Sequence, residues 1–276
     1  MLKILFDLTK FESVEVVPLS DVHIGNELCD IGALKDIIEY IKEEPDDPTM
    51  ARICILNGDL TESVTRTSLG DPFSQTMSPQ LQVATMIEML KPLTVPTDKY
   101  PQGKILSYCG GNHDTGRYKD TGISASETIA VALGLEDRYS PNGCYSFIKL
   151  ARIHDHKNMI VYTVYNQHLS GSGISVGAKA NRIQRISSGV IADLICGAHF
   201  HLPMTFKEDI IIPRESTAKL GQKTITYVIS NAFLKFGDYS QRMGMKPSTI
   251  SVPKIYVKQK RNPKTDKRYF DTGVLL

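Results

Sequence analysis

Lys104-Ile105-Leu106-Ser107-Tyr108-Cys109-Gly110-Gly111-Asn112-His113-Asp114 runs from a short apolar segment straight into two glycines, an amide, an imidazole and a carboxylate. An apolar run of that length, stopped by glycine, reads as a buried strand. The polar cluster then falls at the carboxyl end of the strand, where α/β sheets gather their ligand sites. Two earlier stretches repeat the arrangement. Residues 14–18 are rich in β-branched side chains and lead into Ser20-Asp21-Val22-His23, and residues 53–56 lead into Asn57-Gly58-Asp59. Between them, residues 31–41 place apolar side chains at helical spacing before Glu43-Glu44-Pro45, and Ser78-Pro79 offers an N-cap and a first-turn proline for a helix through Leu90. A recurring strand, loop and helix predicts an α/β fold.

The second half turns toward β structure. Residues 144–150 and 159–165 read as a hairpin around the polar turn His154-Asp155-His156-Lys157-Asn158, residues 179–187 as a helix, and residues 192–196 and 225–229 as two further strands. Two strands of this half also end in imidazoles, at Asn166-Gln167-His168 and at Gly197-Ala198-His199-Phe200-His201. Asp21, His23, Asp59, Asn112, His168, His199 and His201 are therefore expected to converge as metal ligands. Any one of these pieces is more often a turn or a cap than a ligand. Five of them in order, each just past a strand, have no comparable structural explanation, because buried unpaired Asp and His side chains destabilise a fold that holds no cation. Mixed nitrogen and oxygen donors without thiolate suit Mn, Fe, Zn, Co or Ni. His154 and His156 also have metal-like spacing, but the predicted turn sets them apart from the motif strands.

The set Asp21-Val22-His23, Gly58-Asp59, Gly111-Asn112-His113-Asp114, His168 and Gly197-Ala198-His199-Phe200-His201 resembles the calcineurin-like metallophosphoesterase family over residues 14–203. One departure is visible: Ala198 separates the glycine from the first histidine of the last motif. The resemblance implies a single-domain α/β fold, a β-sandwich flanked by helices in four αββα layers. It implies two divalent metal ions, with manganese the first to test. Asp21, His23 and His201 would hold one, Asn112, His168 and His199 the other, with Asp59 bridging both and a metal-bridged hydroxide attacking phosphorus. By the same resemblance His113 is catalytic, touching the phosphate and protonating the leaving oxygen, and Asp114 orients its ring.

At 276 residues and 41% hydrophobic the chain can bury a substantial core as one domain over 1–276. Residues 63–78 read as a polar, substrate-side insertion. The net charge is +2, yet residues 254–268 hold seven Lys or Arg against one Asp, which leaves the rest of the chain net acidic. The basic segment 254–276 carries Tyr256, Tyr269 and Phe270, an arrangement that suits nucleic acid, although terminal charge runs are usually solvated. Arg117, Lys119, Arg182 and Arg66 adjoin the motif loops and are candidate substrate phosphate clamps, with Lys179 and Arg185 beside Arg182. Five scattered cysteines without a C-x-x-C pair argue against a disulfide framework or a zinc-thiolate site and fit a reducing, cytoplasmic setting. Residues 1–11 lack the pattern of a signal peptide, and no apolar run reaches membrane-span length, so no membrane partner is expected.

The expected activity is hydrolysis of phosphoesters, with phosphodiesters favoured and a nucleotide or nucleic acid as substrate; protein partners are unknown. Protein Ser/Thr phosphatases are disfavoured because Gly58-Asp59-Leu60-Thr61-Glu62 lacks their G-D-x-V-D-R-G continuation. The loop 63–79 looks similar to phage and prophage members of the family. Two alternatives stay open: a DNA or RNA nuclease of phage or prophage DNA metabolism, and a non-catalytic protein-binding scaffold on the same fold. The complete ligand set together with His113 favours catalysis.

Overall fold

Strands β2 (Ser13–Leu19), β3 (Met50–Asn57) and β4 (Ile105–Cys109) are buried at every position, so each must be covered on both faces. The computed structural model supplies that cover. It describes residues 1–65, 72–152, 155–171, 175–214, 218–237, 250–261 and 268–276. One sheet has the order β12-β11-β2-β3-β4-β5, with β5 at Tyr139–Ser140, β11 at Lys254–Arg261 and β12 at Arg268–Leu275. The second has the order β1-β6-β7-β8-β10-β9, formed by β1 (Leu2–Leu8), β6 (Cys144–Arg152), β7 (Asp155–Gln167), β8 (Leu194–Gly197), β9 (Met204–Arg214) and β10 (Lys219–Ile229).

Alternation along β2 divides the core. Val14 and Val16 point between the sheets, where they meet Phe6, Ile53, Ile55, Leu106, Tyr162 and Val228. Val17 and Leu19 point the other way, onto α1 (Ile31–Lys42), α2 (Pro79–Leu90) and α4 (Ala125–Ala132) through Leu34, Ile38, Met86, Leu90 and Ile129. On the far side, α5 (Val176–Gln184) lays Ile183 against Ile195, Tyr227 and Ile229. The result is helix, sheet, sheet, helix: the four-layer α/β sandwich expected from the sequence. No helix among the described residues is long and apolar enough to cross a membrane.

Helix starts follow their caps. Asp30 accepts from the Ala33 N–H at 3.0 Å and Ser78 from the Leu81 N–H at 3.3 Å, as their positions suggested. The helix expected over 179–187 begins earlier, because Ser175 caps it by accepting from the Ala178 N–H at 3.2 Å, and its last turn tightens to a 3-10 helix over Arg185–Ser188. The turn expected at 154–158 is also displaced. β7 starts at Asp155, and the β6–β7 register shifts between Ala151 and Arg152. His154 and the side chain of His156 lie outside the described residues.

The described part of the basic segment is not a free run of charge. β11 pairs antiparallel with β2, setting Ile255 opposite Val16 and Val257 opposite Val14, all four buried. Its lysines lie on the outer face: the Lys254 ammonium stands 3.7 Å over the Tyr40 ring, and Lys260 pairs with Asp271. The insertion at 63–78 is pinned at both described ends. Gln82, fully buried on α2, accepts from the Ser63 N–H at 2.9 Å and donates to Gln75 at 2.8 Å and the Met77 carbonyl at 3.0 Å.

Candidate metal centre

Asp21 and His23 follow β2, Asp59 follows β3, Asn112 opens the helix α3 (Asn112–Thr121) after β4, His168 follows β7, and His199 and His201 follow β8. Five of these seven hold a positive φ: Asp21 at 48°, His23 at 50°, Asp59 at 49°, His199 at 83° and His201 at 50°. Among the other described non-glycine residues only Ser63 and Ala218 do so. The left-handed region costs a residue with a Cβ about 1–3 kcal/mol, and such residues collect where function requires an unusual side-chain direction.

The side chains meet in two adjoining clusters. In the first, His201 Nε2 lies 3.2 Å from Asp21 Oδ1 and 3.3 Å from His23 Nε2. In the second, His168 Nε2 lies 3.1 Å from Asp59 Oδ2, with His199 beside it. Asp21, His23 and His201, like Asp59, His168 and His199, present ligand atoms within 4.8 Å of one another. Five of the chain's seven histidines, counting His113, thus lie in one small volume.

Hydrogen bonds on the outer ring nitrogens set the tautomers. His168 Nδ1 stands 2.9 Å from the Asn57 carbonyl, His199 Nε2 3.1 Å from the Gly171 carbonyl, and His23 Nδ1 2.9 Å from Glu62 Oε2. A carbonyl only accepts, so those ring nitrogens donate and the opposite nitrogen turns a lone pair inward, the arrangement typical of metal-binding imidazoles. The Asn112 amide oxygen joins them, 3.0 Å from Asp59 Oδ2, 3.0 Å from His168 Nε2 and 2.7 Å from His199 Nδ1. With both rings in that neutral tautomer, four acceptors would face one another and repel unless a cation stood between them. The alternative is to turn the amide so that its NH2 faces all three, with two protons to donate among them, and its oxygen accepts from the His113 N–H at 3.3 Å. The donor set therefore fits two hard or borderline divalent cations, one for each cluster.

Electrostatics point the same way. Burial pushes the Asp21 carboxyl up, but the His201 and His168 imidazoles outweigh it and bring it to about 2. Asp59 is likewise held well below the usual carboxylate range against its burial, by His168, His113 and His23. Burial pushes His168 down, and Asp59 overrides that and raises it to about 9. The proton on His168 does here what a cation would do: it neutralises the buried Asp59 carboxylate 3.1 Å away.

Glycines keep the space open. A Cβ on Gly111 would lie 2.0 Å from Asp59 Oδ1, and one on Gly58, at φ +85°, would lie 2.6 Å from His168 Nδ1. The departure at Ala198 takes neither histidine away. Ala198 is buried in the loop after β8, and the next residue, His199, donates its backbone N–H to Asp21 at 3.1 Å.

No family model and no curated protein matches this chain. Solved structures are similar in outline. One is a conserved uncharacterized protein, a predicted phosphoesterase, from Streptococcus pneumoniae TIGR4, at 9% identity and a TM-score of 0.38, covering 93% of this chain and 97% of that one. Another is a metallophosphoesterase from Sphaerobacter thermophilus, at 13% identity and a TM-score of 0.36, covering 94% of this chain and 88% of that one. Likeness at this level leaves the chemistry to be read from the side chains.

His113 stands at the rim of the first cluster, its ring centroid 4.5 Å from that of His23. Its backbone N–H donates to Asp59 Oδ1 at 3.0 Å, and its Nδ1 lies 2.7 Å from the Glu62 carbonyl, while Nε2 has no hydrogen bond among the described residues. Asp114, expected to orient that ring, is engaged elsewhere: it accepts from the Ser124 hydroxyl at 2.8 Å and the Ser126 N–H at 3.0 Å, tying α3 to α4. Glu62 does the orienting and went unread in the sequence; its position three residues past Asp59 is the only signal there.

Of the expected phosphate clamps, Arg117 is buried one helical turn past His113 on α3, with Nη1 3.5 Å from Ser63 Oγ. Lys119 is exposed on α3 and no contact brings it to the centre. Arg182 is exposed on α5 against Gly171, beside a cleft of ≈ 250 Å³ that Arg185 also lines. Lys179 donates to the Phe200 carbonyl at 3.1 Å, bracing the loop between His199 and His201. Arg66 lies outside the described residues.

Proposed function

We propose that this chain hydrolyses phosphoester bonds with two divalent cations, as a calcineurin-like metallophosphoesterase. The observation that carries the reading is the inward convergence of the Asp21 and Asp59 carboxylates, the Asn112 amide and four imidazoles on a backbone strained at five of those positions. Asp21, His23 and His201 hold one cation, Asn112, His168 and His199 the other, and Asp59 sits between the two sets. Two bound divalent cations supply Lewis acidity, acidifying a water and neutralising charge on the phosphate oxygens. His113 delivers a proton from Nε2 to the leaving oxygen while the Glu62 carbonyl fixes its ring. Manganese is the first metal to test, a phosphodiester of a nucleotide or nucleic acid the favoured substrate, and a reducing cytoplasm the proposed setting, supported by five free thiols. The similarity to phage members rests on a loop whose residues 66–71 lie outside the described residues.

The test is a substrate panel with Mn²⁺: a bis-aryl phosphodiester, an aryl phosphomonoester, cyclic nucleotides, and single- and double-stranded DNA. Metal-dependent turnover of at least one, abolished in Asp59→Asn, is the expected result. A protein that binds the metal and cleaves none of them is a scaffold instead.

A further inference from the structure

Arg117 is 8% exposed, yet among the described residues its guanidinium has one acceptor, Ser63 Oγ, at the long distance of 3.5 Å, and no carboxylate partner. A buried cation without a counter-charge is destabilising, and Arg offers five donors in a fork shaped for phosphate. The position is specific. Arg117 stands one helical turn past His113 on the same face of α3, and Ser63 follows the residue whose carbonyl holds the His113 ring.

A second unneutralised region adjoins the other cluster. The cleft lined by Gln167, Leu169, Ser170, Arg182, Arg185 and Ile186 begins one residue before the ligand His168. Its Arg182 guanidinium packs on Gly171, so closely that a Cβ there would lie 3.0 Å from Nη2, and the Gly171 carbonyl is the partner of His199 Nε2. Neither Arg182 nor Arg185 has an ion-pair partner among the described residues. Exposed arginines by themselves form a solvated face; these two share a cleft whose wall is continuous with two ligands of the centre.

We infer that the substrate is a polyanion in which the scissile phosphate has a further phosphate on each side. Arg117 takes the one on the His113 side, and Arg182 with Arg185 takes the one on the His199 side. The inference rests on the hydrolase reading above and narrows it, because a neutral leaving alcohol would leave the Arg117 guanidinium without its anion. A nucleic-acid strand and an inorganic polyphosphate chain share this chemistry.

The experiment compares kcat and KM of the Mn²⁺-loaded protein on bis(p-nitrophenyl) phosphate, a thymidine dinucleotide without terminal phosphates, the same dinucleotide phosphorylated at both ends, and inorganic polyphosphate. Terminal phosphates are expected to lower KM about tenfold or more. Arg117→Met and the double change Arg182→Ala, Arg185→Ala should each shrink that gain, and Arg117→Lys should restore part of it; a variant that melts early is replaced in the comparison by the lysine form. Better turnover of polyphosphate than of the phosphorylated dinucleotide would make polyphosphate the source of the polyanion. Absence of any gain in the wild type, or a gain that survives both variants, overturns the inference. In parallel, fluorescence anisotropy follows fluorescein-labelled dT12 on the metal-free protein, where each variant should weaken binding and flatten its dependence on salt. If nothing at all is cleaved the hydrolase reading fails, and the anisotropy arm alone decides whether the polyanion site exists.

Discussion

The Nδ1 of His23 lies 2.9 Å from a carboxylate oxygen of Glu62, and both side chains are buried. Glu62 accepts the outer proton of that ring through its side chain and the outer proton of His113 through its backbone carbonyl. One residue thereby orients the His23 and His113 rings together.

Glu62→Ala should weaken metal binding in the cluster containing His23 by about ten- to a hundredfold, the usual effect of removing a carboxylate behind a ligating histidine. Glu62→Gln, which keeps an acceptor, should lose less. Titration with Mn²⁺ followed by intrinsic fluorescence or calorimetry measures both; equal affinities in all three proteins would mean the contact has no such role.

Gly111→Ala places a methyl group 2.0 Å from where Asp59 Oδ1 now stands. We expect the variant to fold with about 1–3 kcal/mol less stability and to bind metal with reduced stoichiometry, read by elemental analysis after gel filtration. Retention of full metal content would show that the loop after β4 yields more easily than its contacts suggest.

Asp114→Ala should act on stability rather than on chemistry. Losing the acceptor of Ser124 and Ser126 at the α3–α4 junction costs about 1–3 kcal/mol in thermal or urea unfolding. The pH profile of turnover should keep its shape, since the His113 ring is held by Glu62 and not by Asp114. A displaced pH profile at unchanged stability would return the orienting role to Asp114.

Metal-free and metal-loaded protein should respond oppositely to alkali. His168 has its pKa raised to about 9 in the folded state, so its contribution is complete below the unfolded value near 6.5 and disappears as pH rises through about 9. Without metal, stability should fall across that window. With metal, the cation replaces the proton and binding strengthens as the imidazole deprotonates, so the melting temperature should hold or rise. Scanning fluorimetry from pH 6 to 9 with and without a chelator tests this; parallel curves would count against His168 as a ligand.

Much of this centre can be read in the chain because β2, β3 and β4, covered on both faces, appear as continuous apolar runs whose ends are unmistakable. Helix α3 escaped because its first turn is the site itself: Gly111 at its N-cap has no side chain to signal a start, and Asn112 and His113 read as loop chemistry. The role expected of Asp114 came with the family resemblance, and the helix denies it. Successive side chains on a helix point about a third of a turn apart, so neighbours in sequence are not neighbours in space. Glu62 shows the converse, since its partner His23 reaches it only through the pairing of the loops after β2 and β3. The positive φ values have no sequence signature beyond the tolerance of Asp and His for that region. In the segment near the carboxyl end the charge run concealed the alternation of Ile255 and Val257 that makes β11 a strand.

The pairing of β11 with β2 has a consequence for the order of assembly. β2 delivers Asp21 and His23, and one of its two neighbours comes from the far end of the chain. While the ribosome is still making the intervening residues, that edge of β2 has no partner, and the loop with Asp21 and His23 hangs from a half-built sheet. A chain cut short before residue 254 would carry all seven converging side chains and still lack the strand that pairs with β2, the element leading into Asp21 and His23.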